Sequence, residues 1–286
     1  MKKIFPSVVE NTLIADNIFK LVLEGSFPHD EFKPGKFLHV KCSKGLDPLL
    51  RRPMSICDIS DDERYLTVLY RKEGRGTTLL SEFKLGEKID ILAPLGNNFE
   101  LPSGFGGGEN AEIGVSLHAQ ARIPKENLNK RILLIGGGIG VPPLYYLGRK
   151  LKAAGHSIIS ILGFNAAKDV FYENEFKSLG EVFITTVDGS YGMKGFVTDA
   201  LAKIDHDADE NVEISYSCGP KSMLKALQSK ISSDRLAYMS LEERMGCGVG
   251  ACLACVCNYN EGFERDKNYS RVCTEGPVYK LHEISL

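Results

Sequence analysis

The first hundred residues alternate short apolar runs with turn-forming residues. Strand-length runs are expected at Ile4–Ala15, Ile18–Glu24, Lys36–Lys41, Pro53–Asp58, Tyr65–Arg71 and Lys88–Ala93. Tyr65-Leu-Thr-Val-Leu-Tyr70 alternates in part and is rich in strand formers. Pro34-Gly35, Asp61-Asp62 and Gly86 punctuate the runs as turns. This spacing predicts a small antiparallel barrel, interrupted by one helix over Gly76–Phe83.

The pattern changes at Ile132. Ile132-Leu-Leu-Ile135 is continuously apolar, as in a strand buried on both faces. Gly136-Gly137-Gly138-Ile-Gly140 follows, then Val141-Pro142-Pro143 and a helical Leu144–Ala154. A buried strand, a glycine turn and a helix with proline near its first position form a phosphate-binding βα unit. The turn is neither a Walker A loop nor a full G-x-G-x-x-G, because Val141 stands where the last glycine would be. Further strands are expected at Ser157–Gly163, Val182–Val187 and Val212–Ser217, with helices around Phe171–Leu179, Phe196–Lys203 and Lys221–Ser229. That alternation predicts a doubly wound parallel sheet. The stretch Pro102–Asn129, with Gly104, Gly106, Gly107 and Gly108 and mixed polarity, reads as a mobile interdomain loop.

The densest chemistry lies in Met245–Tyr279. Cys247-Gly-Val-Gly-Ala-Cys252-Leu-Ala-Cys255 is followed, after seventeen residues, by Cys273. Spacing of C-x4-C-x2-C with a distant fourth cysteine is the plant-type pattern for a [2Fe–2S] cluster. Gly246, Gly248 and Gly250 would let the backbone wrap such a centre closely and aim N–H groups at its sulfurs. Zinc and disulfides are the plainer readings. Zinc sites usually show two short cysteine pairs, and disulfides need an oxidising compartment. Cys257 would face the same side of a strand as Cys255, so geometry alone does not exclude it as a ligand. Four ligands are found without it.

Composition narrows the partners. At 286 residues the chain suits two domains and a small appendage, and 43% apolar with 25% charged residues is ordinary for a globular protein. A net charge of −2 argues against nucleic acid as a partner. Met-Lys-Lys-Ile-Phe-Pro at the start is weakly signal-like, but Pro6, Glu10, Asn11 and Asp16 interrupt any apolar core behind it. No run approaches the length of a membrane span. Eight cysteines, five of them within Cys247–Cys273, suggest a metal centre in a reducing cytoplasm.

Two spots in the expected barrel suggest a bound phosphate group. Arg51-Arg52-Pro53-Met54-Ser55 places a fixed-φ proline between a guanidinium and a hydroxyl. Arg52 can fork onto a pyrophosphate while Ser55 points at a ring. Taken alone, an arginine on a solvated strand end is the simpler account. Gly74-Arg-Gly76-Thr77-Thr78 opens a helix whose free N–H groups would make an anion site, with Thr77 as N-cap. A capped helix start explains those residues equally well.

In combination these motifs resemble the ferredoxin–NADP reductase superfamily. Arg52-Pro53-Met54-Ser55, Leu69-Tyr70-Arg71 and Gly76-Thr77 resemble its FAD-binding motifs. Gly137, Gly138 and Gly140, with Cys218 in Ser217-Cys218-Gly219-Pro220, resemble its NAD(P) half, where the Cys-Gly-Pro turn lies at the nicotinamide. With only Lys168 near the end of the second strand, no arginine cluster awaits a 2′-phosphate, so NAD is favoured. Ser240–Cys255 and Arg271-Val-Cys-Thr-Glu-Gly-Pro-Val closely resemble the electron-transfer subunits of class 1B dihydroorotate dehydrogenases.

The resemblance implies a β barrel plus α/β architecture in four parts. Residues 1–100 would form the FAD barrel, 101–130 a linker, 131–232 the NAD domain and 233–286 a small C-terminal [2Fe–2S] domain. Cys247, Cys252, Cys255 and Cys273 would hold the cluster. It also implies a partner, an FMN-containing dihydroorotate dehydrogenase catalytic subunit, in a heterotetramer of two copies of each. That partner oxidises dihydroorotate, and electrons pass through the cluster and FAD to NAD+. No catalytic acid or base is then required here, because proton abstraction belongs to the partner. The alternative is a subunit of another NAD(P)H–ferredoxin type oxidoreductase, which shares the flavin and nucleotide halves.

Overall fold

The computed structural model describes residues 1–102, 130–206, 212–263 and 266–286, so the expected interdomain loop lies almost wholly outside the described residues. The first hundred residues form β1 (Lys2–Ile4), β2 (Ser7–Ala15), β3 (Ile18–Glu24), β4 (Phe37–Val40), β5 (Arg52–Ser55), β6 (Asp58–Ile59), β7 (Tyr65–Arg71), helix α1 (Gly74–Leu80) and β8 (Ile91–Leu95). Two four-stranded antiparallel sheets result, in the orders β1-β8-β4-β5 and β2-β3-β7-β6. Each of two runs expected as one strand serves both sheets. Ile4–Ala15 breaks at Pro6, which has no N–H for a ladder, so β1 pairs with β8 and β2 with β3. Pro53–Asp58 breaks at Ile56-Cys57, giving β5 to one sheet and β6 to the other. Strands that change sheets at a corner close a barrel. Its core holds Leu21, Leu23, Leu38, Val40, Leu66 and Val68, all fully buried.

The second half forms β9 (Arg131–Gly137), α2 (Pro142–Ala153), β10 (Ser157–Phe164), α3 (Glu173–Lys177), β11 (Gly180–Thr186), β12 (Met193–Lys194), α4 (Val197–His206), β13 (Ile214–Cys218) and α5 (Lys221–Lys230). Then come β14 (Leu236–Ser240), β15 (Val256–Asn258), β16 (Tyr269–Arg271) and β17 (Val278–Lys280). Seven strands make one sheet, in the order β12-β11-β10-β9-β13-β14-β17, parallel except for β17. The unbroken apolar run of β9 is explained by its two faces. Ile132 and Leu134 pack with Leu144, Leu147 and Leu151 of α2, while Leu133 and Ile135 pack with residues of α4 and α5. Helices on both faces make the sheet doubly wound.

Five strands were not among those expected, β12, β14, β15, β16 and β17, and two of them, β14 and β17, extend the nucleotide sheet beyond β13. These two pair with each other, Ser240 opposite Val278, so residues 241–277 leave the sheet and return beside their point of departure. Those residues share a core with the nucleotide sheet, where Cys255, Val272 and Cys273 join Leu224, Leu227 and Met239. Phe37 and Leu95 of the barrel complete the same cluster.

Candidate functional site: a flavin cleft joined to four paired thiols

A cleft of about 790 Å³ opens where barrel, sheet and cysteine segment meet. That volume lies within the range of cofactor sites. Arg52, Pro53, Met54 and Ser55 of β5 line it, as do Leu69, Tyr70 and Arg71 at the end of β7 and Thr77 of α1. Gly140 and Cys218 form the nucleotide side, and Met245 and Pro277 the cysteine side.

The two adjacent arginines have separate duties. Arg51 is tied to Asp90, its guanidinium 2.8 Å from both the carboxylate and the carbonyl of that residue. Arg52 donates to the carbonyl of Leu50 at 2.7 Å and has no ion-pair partner among the described residues. Gly76 is what brings α1 against it, since a Cβ there would stand 3.1 Å from the Arg52 Nε. Thr77 differs from its expected role. The helix begins at Gly74 with Glu73 as N-cap, so Thr77 sits inside the first turn. Its hydroxyl accepts from the Glu73 N–H at 2.7 Å and donates to the Glu73 carbonyl at 2.8 Å. Tyr70 turns its hydroxyl inward to Asn11, 2.9 Å away.

The glycines of the nucleotide turn allow three close approaches. A Cβ on Gly140 would lie 2.4 Å from the Cys218 carbonyl oxygen, and one on Gly137 would lie 2.5 Å from the Met223 sulfur. Gly138, at φ +52°, faces the Arg71 guanidinium from the barrel. Burial pushes the Cys218 thiol up to about 12, with Glu242 adding to the rise and Ser240 opposing it. Cys218 therefore packs the turn as a neutral thiol. Glu242, which the motifs did not single out, also lines the cleft; burial raises its carboxyl and Arg71 draws it back. Lys168 is bound to Asp16 at 2.7 Å, which occupies the one cation noted for a 2′-phosphate.

The four expected ligand cysteines fall into two pairs. All four are free thiols, with Cys247 beside Cys252 and Cys255 beside Cys273, each pair close enough for a thiol hydrogen bond. Backbone N–H groups converge on them: Val249 and Ala251 donate to the Cys247 sulfur at 3.4 and 3.3 Å, and Gly250 to the Cys273 sulfur at 3.1 Å. Burial works to raise the Cys247 thiol, yet the N–H groups of Val249 and Cys252, the Cys252 side chain and the N–H of Ala251 pull it below the ordinary range. Burial raises Cys273, and Cys255 beside it adds to the rise. Among the described residues no three His, Cys, Asp or Glu side chains gather for a single metal ion. Two pairs suit two irons with two thiolates each. Cys257 stands apart on β15, its thiol directed to the Ser270 carbonyl and the Tyr279 hydroxyl.

Asn97 and His39 were invisible as functional positions. The Asn97 backbone donates to Gly276, and its side chain donates to Glu275 and Val278 and accepts from the Val278 N–H, at 2.6–3.0 Å. One residue at the barrel exit thus pins the chain just beyond Cys273. His39 is fully buried on β4. Burial, reinforced by Arg51, pushes it down to about 4. The Cys247 and Arg51 backbones approach the ring without meeting either nitrogen at hydrogen-bond geometry. A polar residue inside Phe-Leu-His-Val was the one available signal.

A flavin-type barrel, a nucleotide sheet with its glycine turn, and a cysteine segment forming one wall of the cleft define a pyridine-nucleotide-linked iron–sulfur flavoprotein. Comparison with known proteins agrees. Residues 242–285 match the family described as the iron–sulfur cluster binding domain of dihydroorotate dehydrogenase B, and residues 134–229 match the oxidoreductase NAD-binding domain. The chain is 46% identical, over the full length of both proteins, to the dihydroorotate dehydrogenase B (NAD+) electron transfer subunit of Geobacillus sp.. It is 44% identical to that of Bacillus pumilus, over all of this chain and 99% of the relative. Among solved structures, an NADH-dependent reduced ferredoxin-NADP oxidoreductase is similar with a TM-score of 0.77 and 25% identity, over 99% of this chain and 90% of that one. Phthalate dioxygenase reductase shares the fold, with a TM-score of 0.62 and 16% identity over 99% and 98% of the two chains. The chain belongs to the family of dihydroorotate dehydrogenase B (NAD+) electron transfer subunits.

Proposed function

We propose that this chain carries electrons from an FMN-containing dihydroorotate dehydrogenase catalytic subunit to NAD+, in a cytoplasmic heterotetramer of two copies of each subunit. The observation that carries the reading is the single cleft walled by Ser55 of the barrel, Cys218 of the sheet and Met245 of the cysteine segment. Residues that serve three groups border one space, as a short electron path requires. FAD in this cleft, with a [2Fe–2S] cluster on the cysteines of the segment that walls it, would supply what side chains lack, the exchange of paired for single electrons.

The chain's own residues bind and orient. Arg52 neutralises the FAD pyrophosphate, and the first turn of α1, which carries Gly76 and Thr77, closes over it. Pro53, Met54 and Ser55, with Leu69, Tyr70 and Arg71, form the bed for the flavin ring. Gly137, Gly138 and Gly140 admit the nucleotide backbone, and Cys218 packs beneath the nicotinamide. Cys247, Cys252, Cys255 and Cys273 hold the two irons. Residues 1–100 serve the flavin and 131–232 the nucleotide. Residues 233–286 serve the iron while lending β14 and β17 to the nucleotide sheet. The exposed Cys252, flanked by exposed Val249 and Leu253, marks the end that meets the partner.

An anaerobic absorption spectrum before and after stoichiometric NADH, with iron and flavin quantified, tests the reading. The expected result is one FAD and two irons per chain, with both chromophores bleached. Flavin without iron, or iron that NADH does not reduce, overturns it. The likeness to an NADH-dependent ferredoxin-NADP oxidoreductase supports a second reading, a subunit of that kind of enzyme. Copurification with an FMN dehydrogenase subunit, rather than with a large iron–sulfur subunit, separates the two.

A further inference from the structure

Strand β4 carries a polar ring where an apolar one would be expected. Leu38 and Val40 face the barrel core, so Phe37 and His39 point to the opposite side. There Phe37 joins the core shared with Cys255, Val272 and Cys273, and His39 is 0% exposed. Across the ladder His39 stands opposite Pro53, and Phe37 opposite Ser55. Those are residues of the strand that lines the flavin cleft. On its other side the ring meets Gly248 of the cysteine loop, where a Cβ would come within 2.4 Å of Nδ1. His39 is wedged between the flavin strand and the loop.

The Cys247 and Arg51 backbones approach the ring, but neither ring nitrogen meets a partner at hydrogen-bond geometry among the described residues. An imidazole carries at least one N–H in every protonation state, and an unpaired buried donor is costly. The loop covering the ring already turns four backbone N–H groups, from Cys247, Val249, Gly250 and Ala251, toward cysteine sulfurs. Among the described residues of the barrel, His39 is the buried side chain left without a partner, and it faces the same loop.

We propose that His39 donates its ring N–H to the sulfur shell of the [2Fe–2S] centre held by Cys247, Cys252, Cys255 and Cys273, acting as a positioning residue that joins the centre to the flavin strand. The inference rests on the iron–sulfur function proposed above. A donor to sulfur stabilises the more negative, reduced form and so raises the reduction potential.

The test is an EPR-monitored redox titration of the purified holoprotein carrying His39→Leu, which fills the space without a donor. The reduced form is expected to weaken about tenfold against the oxidised, a downward shift of about 59 mV for a one-electron couple. His39→Gln, which restores a donor, is expected to return the potential toward that of the wild type. A loaded His39→Leu centre at the wild-type potential overturns the proposal. If His39→Leu fails to hold iron, the wild-type protein decides the matter. With histidine 15N-labelled, pulsed EPR of the reduced centre is expected to show coupling to a ring nitrogen that His39→Gln lacks. A wild-type spectrum without that coupling overturns the proposal. A wild-type chain that binds no iron fails a step earlier and removes the proposed function along with this inference.

Discussion

Residues 1–100 enclose fully buried side chains such as Leu21, Leu38 and Val68 between two sheets of their own. Residues 241–277 are built differently. Their strands β15 and β16 have three residues each, and their buried residues belong to a core shared with the nucleotide sheet and the barrel. Positive φ at Gly248, Gly250 and Leu253, N–H groups turned onto sulfur and the Asn97 latch hold the loop in shape. The barrel can keep its form by burial of apolar surface. The cysteine segment must draw on its neighbours and on whatever its thiols bind, so metal and fold are coupled there.

Four substitutions probe that contrast, beginning with the largest expected effect and ending with the smallest. Cys252→Ala removes an exposed thiol and leaves the barrel and nucleotide turn intact. Electron flow to the partner should stop while NADH–dye activity persists; loss of both in the assay would show that the two regions are not separable. Gly248→Ala forces a Cβ toward His39 at φ +71°. A left-handed non-glycine costs about 1–2 kcal/mol, so iron retention against a chelator should fall about tenfold with FAD content unchanged. Asn97→Ala deletes three side-chain hydrogen bonds to Glu275 and Val278. At about 1 kcal/mol each, thermal denaturation should show a loss of about 2–3 kcal/mol, and proteolysis should strike the cysteine segment before the barrel. Lys168→Ala breaks only an exposed pair with Asp16, worth little in water. Neither melting temperature nor the NADH-over-NADPH preference should move; a changed preference in steady-state kinetics would return Lys168 to the nucleotide site.

What could be read from the sequence follows the same divide. Strands β3 and β7 occupy the expected residues, Ile18–Glu24 and Tyr65–Arg71, because they are central and their burial follows their own pattern. The cysteine spacing was legible because ligand geometry is encoded locally. Strand β14 was missed because Leu236–Ser240 is a short run whose partners are β13 and the distant β17. The role of His39 depends on Gly248, which only the fold brings to it. Thr77 was misplaced because Gly74, at φ +75°, starts the helix earlier than the threonine pair suggests.

The pairing of β14 with β17 confines the iron-bearing part to a single excursion from the sheet. Ser240 and Val278 face each other across an antiparallel ladder, the geometry a two-residue hairpin turn can bridge. A chain joined from one to the other by such a turn would keep every strand of the nucleotide sheet and lose the excursion, together with its cover over Leu224, Leu227 and Met239. In such a layout a metal-binding segment enters a reductase framework at a single turn, and its apolar residues complete a face that the sheet and barrel already offer.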